Sequence, residues 1–137
     1  MTKVLRYDAQ RDAYNFTIKG YIVPYVRMTR RGKFVDPRAQ RYLTSQDKIG
    51  WRLKLQMRNN DWEMLPESTP LWASIIIHRA SGLHKCDLDN QVKAILDAAQ
   101  DIVFKNDLWI DDINAQRDLV DDKVDWTELR IGLIEAI

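Results

Sequence analysis

Asp87-Leu88-Asp89-Asn90 sets two carboxylates two residues apart, with Lys93 three residues beyond Asn90. Further along, Trp109-Ile110-Asp111-Asp112 brings a second acidic pair. On an extended segment, side chains at i and i+2 share one side, so Asp87 and Asp89 would point together. A carboxylate from the later pair would then close a cage of three. All-oxygen cages suit Mg²⁺ or Mn²⁺ rather than zinc. A lysine beside such a cage can neutralise charge developing on a cleaved phosphate. The pattern points to metal-assisted phosphate chemistry.

Plainer readings compete with each part. An Asp ahead of a helix is commonly an N-cap. Lys93 lies four residues after Asp89 and four before Asp97, an arrangement that also fits ordinary helical ion pairs. Asp111-Asp112 fits a surface turn, although Leu108, Trp109 and Ile110 are suited to anchor that loop in the core. Asp121-Asp122 has no such anchor and reads as solvated hairpin surface. An EF-hand is excluded, because the sixth and twelfth positions from Asp87 are Val92 and Ala98 in place of Gly and Glu. A D-x-D nucleotide-sugar transferase is a possible reading, for whose donor fold 137 residues leave little room. Neither a P-loop nor a G-x-G-x-x-G fingerprint occurs. His78 and His84 lack zinc-ligand company, and His78 on an apolar strand reads as structural.

The acidic motifs belong to a chain of 137 residues, the size of one ordinary domain, 1–137. Hydrophobic content of 45% and charged content of 30% fit a globular protein. No apolar run approaches the roughly 20 residues of a membrane span. The start of the chain reads as lacking a signal peptide, and the single cysteine, Cys86, fits a reducing cytoplasm. Net charge is +1, yet residues 1–60 carry 14 Lys/Arg against 4 Asp/Glu and residues 61–137 carry 7 against 16. One half is suited to phosphate contacts and the other to a cation. Mutual neutralisation within the fold, or across a dimer, explains the asymmetry equally.

The elements that must position these residues follow from periodicity. Residues 14–23 alternate as a strand that Pro24 ends. A basic loop, Arg27 to Pro37, turns at Gly32. Asp36 and Pro37 open a helix reaching about Arg58, with Tyr42, Ile49, Leu53 and Met57 on its apolar face and Arg41, Lys48, Arg52 and Lys54 solvated. Residues 71–79 form an apolar, central strand, broken by Ser81-Gly82. A second helix spans about Asp89 to Ile102, turning Val92, Ile95, Leu96, Ala99 and Val103 to the core. Ala115 to Val124 and Thr127 to Ile134 read as a terminal hairpin. The order β-α-β-α-β-β predicts an α/β (α+β) layer of mixed sheet and two helices.

Taken together, Lys85-Cys86-Asp87-Leu88-Asp89-Asn90, Lys93, the helix with Asp97-Ala98, and Asp107-Leu108-Trp109-Ile110-Asp111-Asp112 resemble the RusA family of Holliday-junction resolvases, small dimeric endodeoxyribonucleases. The resemblance runs over most of the chain and is tightest from Lys85 through Gln116. It implies a RusA-like fold and metal ligation by Asp87, Asp89 and Asp112, with Lys93 as the functional lysine. It also implies in-line hydrolysis leaving 5′-phosphate and 3′-hydroxyl ends. One departure stands out. The family's best-known members are densely basic just before D-L-D-N, where this chain offers His84 and Lys85, with Arg79 further back. Arg27, Arg30, Arg31 and Lys33 are the candidates for the missing DNA contacts, beside Lys85.

The expectation is therefore a cytoplasmic, Mg²⁺-dependent (Mn²⁺ as the substitute) endonuclease acting as a homodimer on branched DNA. A DNA-binding accessory protein of the same fold, without catalysis, is the alternative.

Overall fold

A computed structural model describes residues 13–80, 86–119 and 124–134. Strand β1 (Tyr14–Lys19) turns Phe16 and Ile18 inward and leaves alternate residues exposed. It is shorter than its alternation predicts. Gly20 adopts φ +100°, which a side chain would resist, and the chain leaves the sheet there rather than at Pro24. The basic loop contains one helical turn, α1 (Gly32–Val35), begun where Thr29 Oγ1 accepts from Gly32 N at 2.9 Å.

Helix α2 (Pro37–Asn59) starts as expected: Asp36 accepts from Arg38 N at 2.9 Å, and Pro37 fills the first turn. Those bonds hold the Asp36 carboxyl below its ordinary value, the backbone bond contributing most. Tyr42, Ile49, Leu53 and Met57 are buried, as the spacing predicts, and Arg41, Lys48, Arg52 and Lys54 are exposed. Strand β2 (Leu71–Arg79) and helix α3 (Leu88–Ala99) follow, then a single 3-10 turn at Asp107–Trp109, β3 (Ile110–Leu119) and β4 (Trp126–Leu133).

These strands make one mixed sheet, ordered β1-β4-β2-β3. β4 runs antiparallel to both β1 and β2, whereas β2 and β3 are parallel. The expected terminal hairpin is therefore not formed, since β2 lies between β3 and β4. Passage through α3 returns the chain parallel to β2 on one side, and the apolar β2 gains its second neighbour when β4 pairs on the other. Ala73, Ile75 and Ile77 of β2, with Leu129 and Ile131 of β4, meet α2 and α3 in the core. Asp121 and Asp122 lie outside the described residues.

The two sheet edges differ. On the outer side of β1, the Gln56 amide donates to Thr17 O and accepts from Thr17 N, both at 2.9 Å, and Arg52 donates to the Lys19 carbonyl. Among the described residues, no backbone hydrogen bond covers the outer side of β3. Leu108 and Trp109 do not anchor in the core, being 74% and 36% exposed, and Ile113 on the open strand is 47% exposed. Of the three residues expected to anchor, Ile110 packs on the core. No described helix is long and apolar enough to cross a membrane.

On the sheet face away from the helices, Trp72 is buried against Gly132, its register partner on β4. A Cβ on Gly132 would lie 3.0 Å from Trp72 Nε1 and 3.1 Å from Cε2. Gly132→Ala should destabilise by about 1–3 kcal/mol, the usual cost of overpacking. A urea midpoint equal to that of the unsubstituted protein would contradict this placement.

Candidate active site

Asp87 occupies the N-cap position of α3, with φ −69° and ψ 134°, yet its side chain makes no capping bond. Asp36 and Asn106, at comparable positions, behave differently, Asp36 bonding Arg38 N and Asn106 bonding Leu108 N. The exposed Asp87 carboxylate is thus not consumed by capping. Asp89 sits in the first turn of α3 rather than on an extended segment, and its Oδ1 accepts from Asn90 N at 3.0 Å. The helix start, not strand alternation, therefore sets the positions of both carboxylates. The positive end of the helix favours negative charge at both positions.

The segment carrying them is pinned from three directions. Arg117 Nη1 donates to the Cys86 carbonyl at 2.6 Å and to Gln91 Oε1 at 3.2 Å. Gln91, buried in the first turns of α3, donates to Ile22 O at 2.9 Å. Tyr25 N donates to Asn90 O at 3.0 Å, and the Tyr21 hydroxyl lies 3.6 Å from Cys86 Sγ. Burial, then the contact with Cys86, pushes the Tyr21 hydroxyl up to about 12. Motif spacing does not single out Gln91 and Arg117 as positioning residues, although each leaves a signal. Gln91 falls on the apolar stripe between Leu88 and Ile95, and Arg117 alternates with Ala115 on the inward side of β3.

Lys93 is half exposed and pairs with Asp97 at 3.8 Å, with its ammonium 4.8 Å from the centre of the Tyr25 ring. The Tyr42 hydroxyl donates to Asp97 at 3.4 Å, and burial raises its pKa above the ordinary tyrosine value, Asp97 adding to the effect. Lys93 thus stands one turn along α3 from Asp89, steered by Asp97 and Tyr25.

Asp112 is elsewhere. Both Asp111 and Asp112 stand on β3 itself rather than on a loop. The β2–β3 register slips between Leu71 and Trp72, so Asp111 has no partner on β2 and Asp112 stands beside Trp72. Asp112 precedes Arg117 by five residues, roughly 16 Å of strand. Arg117 is the residue that touches the Cys86 end of the site, so the expected single-chain cage of Asp87, Asp89 and Asp112 is not assembled. No group of three or more His, Cys, Asp or Glu able to hold a metal ion occurs among the described residues. The reason is topological: α3 runs antiparallel to β3, placing its start at the strand's far end.

Arg27, Arg30 and Arg31 are exposed, and the loop that bears them is rooted beside α3 by the Tyr25–Asn90 bond. Among the described residues none of the three has an ion-pair partner. Lys33 stands in α1; its side chain, together with His84 and Lys85, falls outside the described residues. His78 is structural as expected, 3.0 Å from Glu128 and stacked on Trp126 at 4.0 Å.

The family model described as endodeoxyribonuclease RusA matches residues 23–131 of this chain, a span holding Asp87, Asp89, Lys93 and Asp112. No curated protein matches the chain.

Arg117→Met should leave the Cys86 carbonyl and Gln91 without their donor, costing about 1–3 kcal/mol. An unchanged thermal midpoint would mean that Arg117 does not hold the segment. Tyr21 should contribute stability that is complete below pH 10 and lost as pH rises from 10 through about 12, since its folded value is raised. Alkaline unfolding of Tyr21→Phe should lack that component.

Proposed function

We propose, for a chain that belongs to the RusA family of Holliday-junction-resolving endodeoxyribonucleases, a Mg²⁺-dependent homodimer that nicks branched DNA in the cytoplasm during recombination and repair. The observation that carries the metal reading is the Asp87 carboxylate, set at a helix start and left out of the cap. Mg²⁺ is commonly held by one or two carboxylates, with water and substrate phosphates completing its shell. Asp87 and Asp89 fit that requirement without a third protein ligand from the same chain. When bound, the cation supplies charge neutralisation at the scissile phosphate and acidifies water for attack near neutral pH.

The chain's own residues then have distinct tasks. Asp87 and Asp89 would hold the cation, their own negative charges being favoured at the positive end of α3. Lys93, one turn along, meets charge that develops on the phosphate, with Asp97 and Tyr25 limiting where its ammonium can swing. Arg27, Arg30, Arg31, Lys33 and Lys85 hold the DNA backbone. Gln91 and Arg117 act by positioning Cys86 and the acidic turn.

Two opposing strands of a junction must be cut together, which requires two equivalent sites and hence a two-fold dimer. The open side of β3, flanked by exposed Leu108, Trp109 and Ile113, supports that edge as the contact. Such a dimer also gives Asp112 a role. Within one chain it forms no metal-holding group with Asp87 and Asp89 among the described residues, and we propose that its carboxylate completes the acidic pair of the other copy.

Labelled four-way junction should be nicked symmetrically with Mg²⁺ or Mn²⁺ and remain intact in EDTA. Asp89→Asn should lower nicking by roughly 10²-fold or more, the scale of losing one electrostatic stabiliser. Binding without any metal-dependent nick would identify an accessory protein instead. Asp112 has its own test. Inactive Asp112→Asn and inactive Asp89→Asn proteins, mixed and allowed to exchange subunits, should regain about a quarter of the wild-type sites if each site is shared across the two-fold axis. No recovery despite demonstrated exchange would refute sharing.

A further inference from the structure

A cavity of about 560 Å³ opens between α2 and the chain from Ile18 to Val23. Its floor is apolar, from Ile18, Ile22 and Ile49, whereas its rim carries Lys19, Arg41, Lys48 and Arg52. Among the described residues, no carboxylate lines it. The cavity of about 290 Å³ on another side of α2 differs, with Asp47 and Asp97 facing Lys54. The rim cations are ordered on the helix. Arg41, Ser45, Lys48 and Arg52 follow one another by four, three and four residues, which is a single stripe along α2. That stripe is about 16 Å long at 1.5 Å per residue.

Each cation is placed differently. Arg52 donates to the Lys19 carbonyl beside Gly20, which adopts φ +100°. Arg41 and Lys48 are exposed and, among the described residues, have no ion-pair partner. A protein leaves a one-sign rim unneutralised at the cost of mutual repulsion, and an anion relieves it.

The groove is joined to the acidic site by a shared wall. Tyr21 and Ile22 line it, and the same two residues contact Cys86 and Gln91 at the start of α3. An extended polyanion leaving the Asp87–Asp89 turn along this wall meets Arg41, Lys48 and Arg52 in turn. A stripe of about 16 Å passes about five phosphates of one strand of a duplex, at 3.4 Å each along the axis.

We propose that this groove is a DNA-backbone site, separate from the basic loop at Arg27–Lys33, that holds a junction arm away from the cleaved phosphate. The identity of the polyanion rests on the nuclease reading. Arg41 and Lys48 serve binding and not chemistry. They also supply phosphate contacts that the weakly basic stretch before Asp87 lacks.

The test measures affinity for a four-way junction by fluorescence anisotropy in EDTA, from 50 to 200 mM salt, with nicking followed separately in Mg²⁺. Arg41→Gln with Lys48→Gln should lower the slope of log affinity against log salt by about 1.8, at about 0.9 for each phosphate no longer neutralised. Lys54→Gln with Arg58→Gln removes equal charge from α2 outside the groove and should leave the slope unchanged. A wild-type slope in the groove variant, or an equal fall in both variants, overturns the groove site. Tight, salt-dependent binding without nicking by the unsubstituted protein overturns the nuclease reading and leaves the groove standing. Absence of any binding by the unsubstituted protein overturns both.

Discussion

The buried amide of Gln91 is the interaction on which the site depends. It donates to Ile22 O and accepts from Arg117, which in turn holds the Cys86 carbonyl. Three segments far apart in the chain meet in those bonds: the stretch after β1, the start of α3 and the inward side of β3. A buried polar group left unpaired costs more than the bond itself contributes, so each partner enforces the others. The acidic turn is consequently held by a network of residues drawn from three distant segments.

Rigidity there contrasts with availability nearby. The Asp87 carboxylate is exposed and outside the cap, and Asp89 accepts from its neighbour's backbone. Both gain from the helix's positive end, which stabilises the anions without consuming their remaining lone pairs. Lys93 is steered in a similar way by Asp97 and the Tyr25 ring. Two carboxylates and an ammonium thus stand within the cap and first two turns of one helix.

The sheet distributes protection unevenly, and the difference bears on assembly. Gln56 and Arg52 cover the outer side of β1 as another strand would. The outer side of β3 has no such cover among the described residues and presents exposed Leu108, Trp109 and Ile113. An open edge beside apolar side chains invites pairing with a further chain. Charge is also unevenly placed. The basic half of the sequence becomes two surfaces, the arginine loop and the α2 groove, on either side of the stretch from Tyr21 to Tyr25 that braces the acidic turn.

Local elements, and the chemistry they could carry, are written in the order of the residues. Asp36-Pro37 announces the start of α2, the spacing of Tyr42, Ile49, Leu53 and Met57 its buried face, and the apolar run from Leu71 a central strand. Asp87-Leu88-Asp89-Asn90 with Lys93 marks the candidate site and the start of α3, because residue type and helical spacing act over a few residues. Strand partners are not legible in this way. The hairpin expected of β3 and β4 fails because β2, being apolar on its core face, takes a neighbour on each side. Motif alone puts Asp112 beside Asp87, and the antiparallel run of α3 against β3 sets them at opposite ends. The cover over β1, the Gln91–Arg117 network and the cationic groove emerge in the folded chain, since each joins residues distant in sequence whose meeting depends on how whole elements pack.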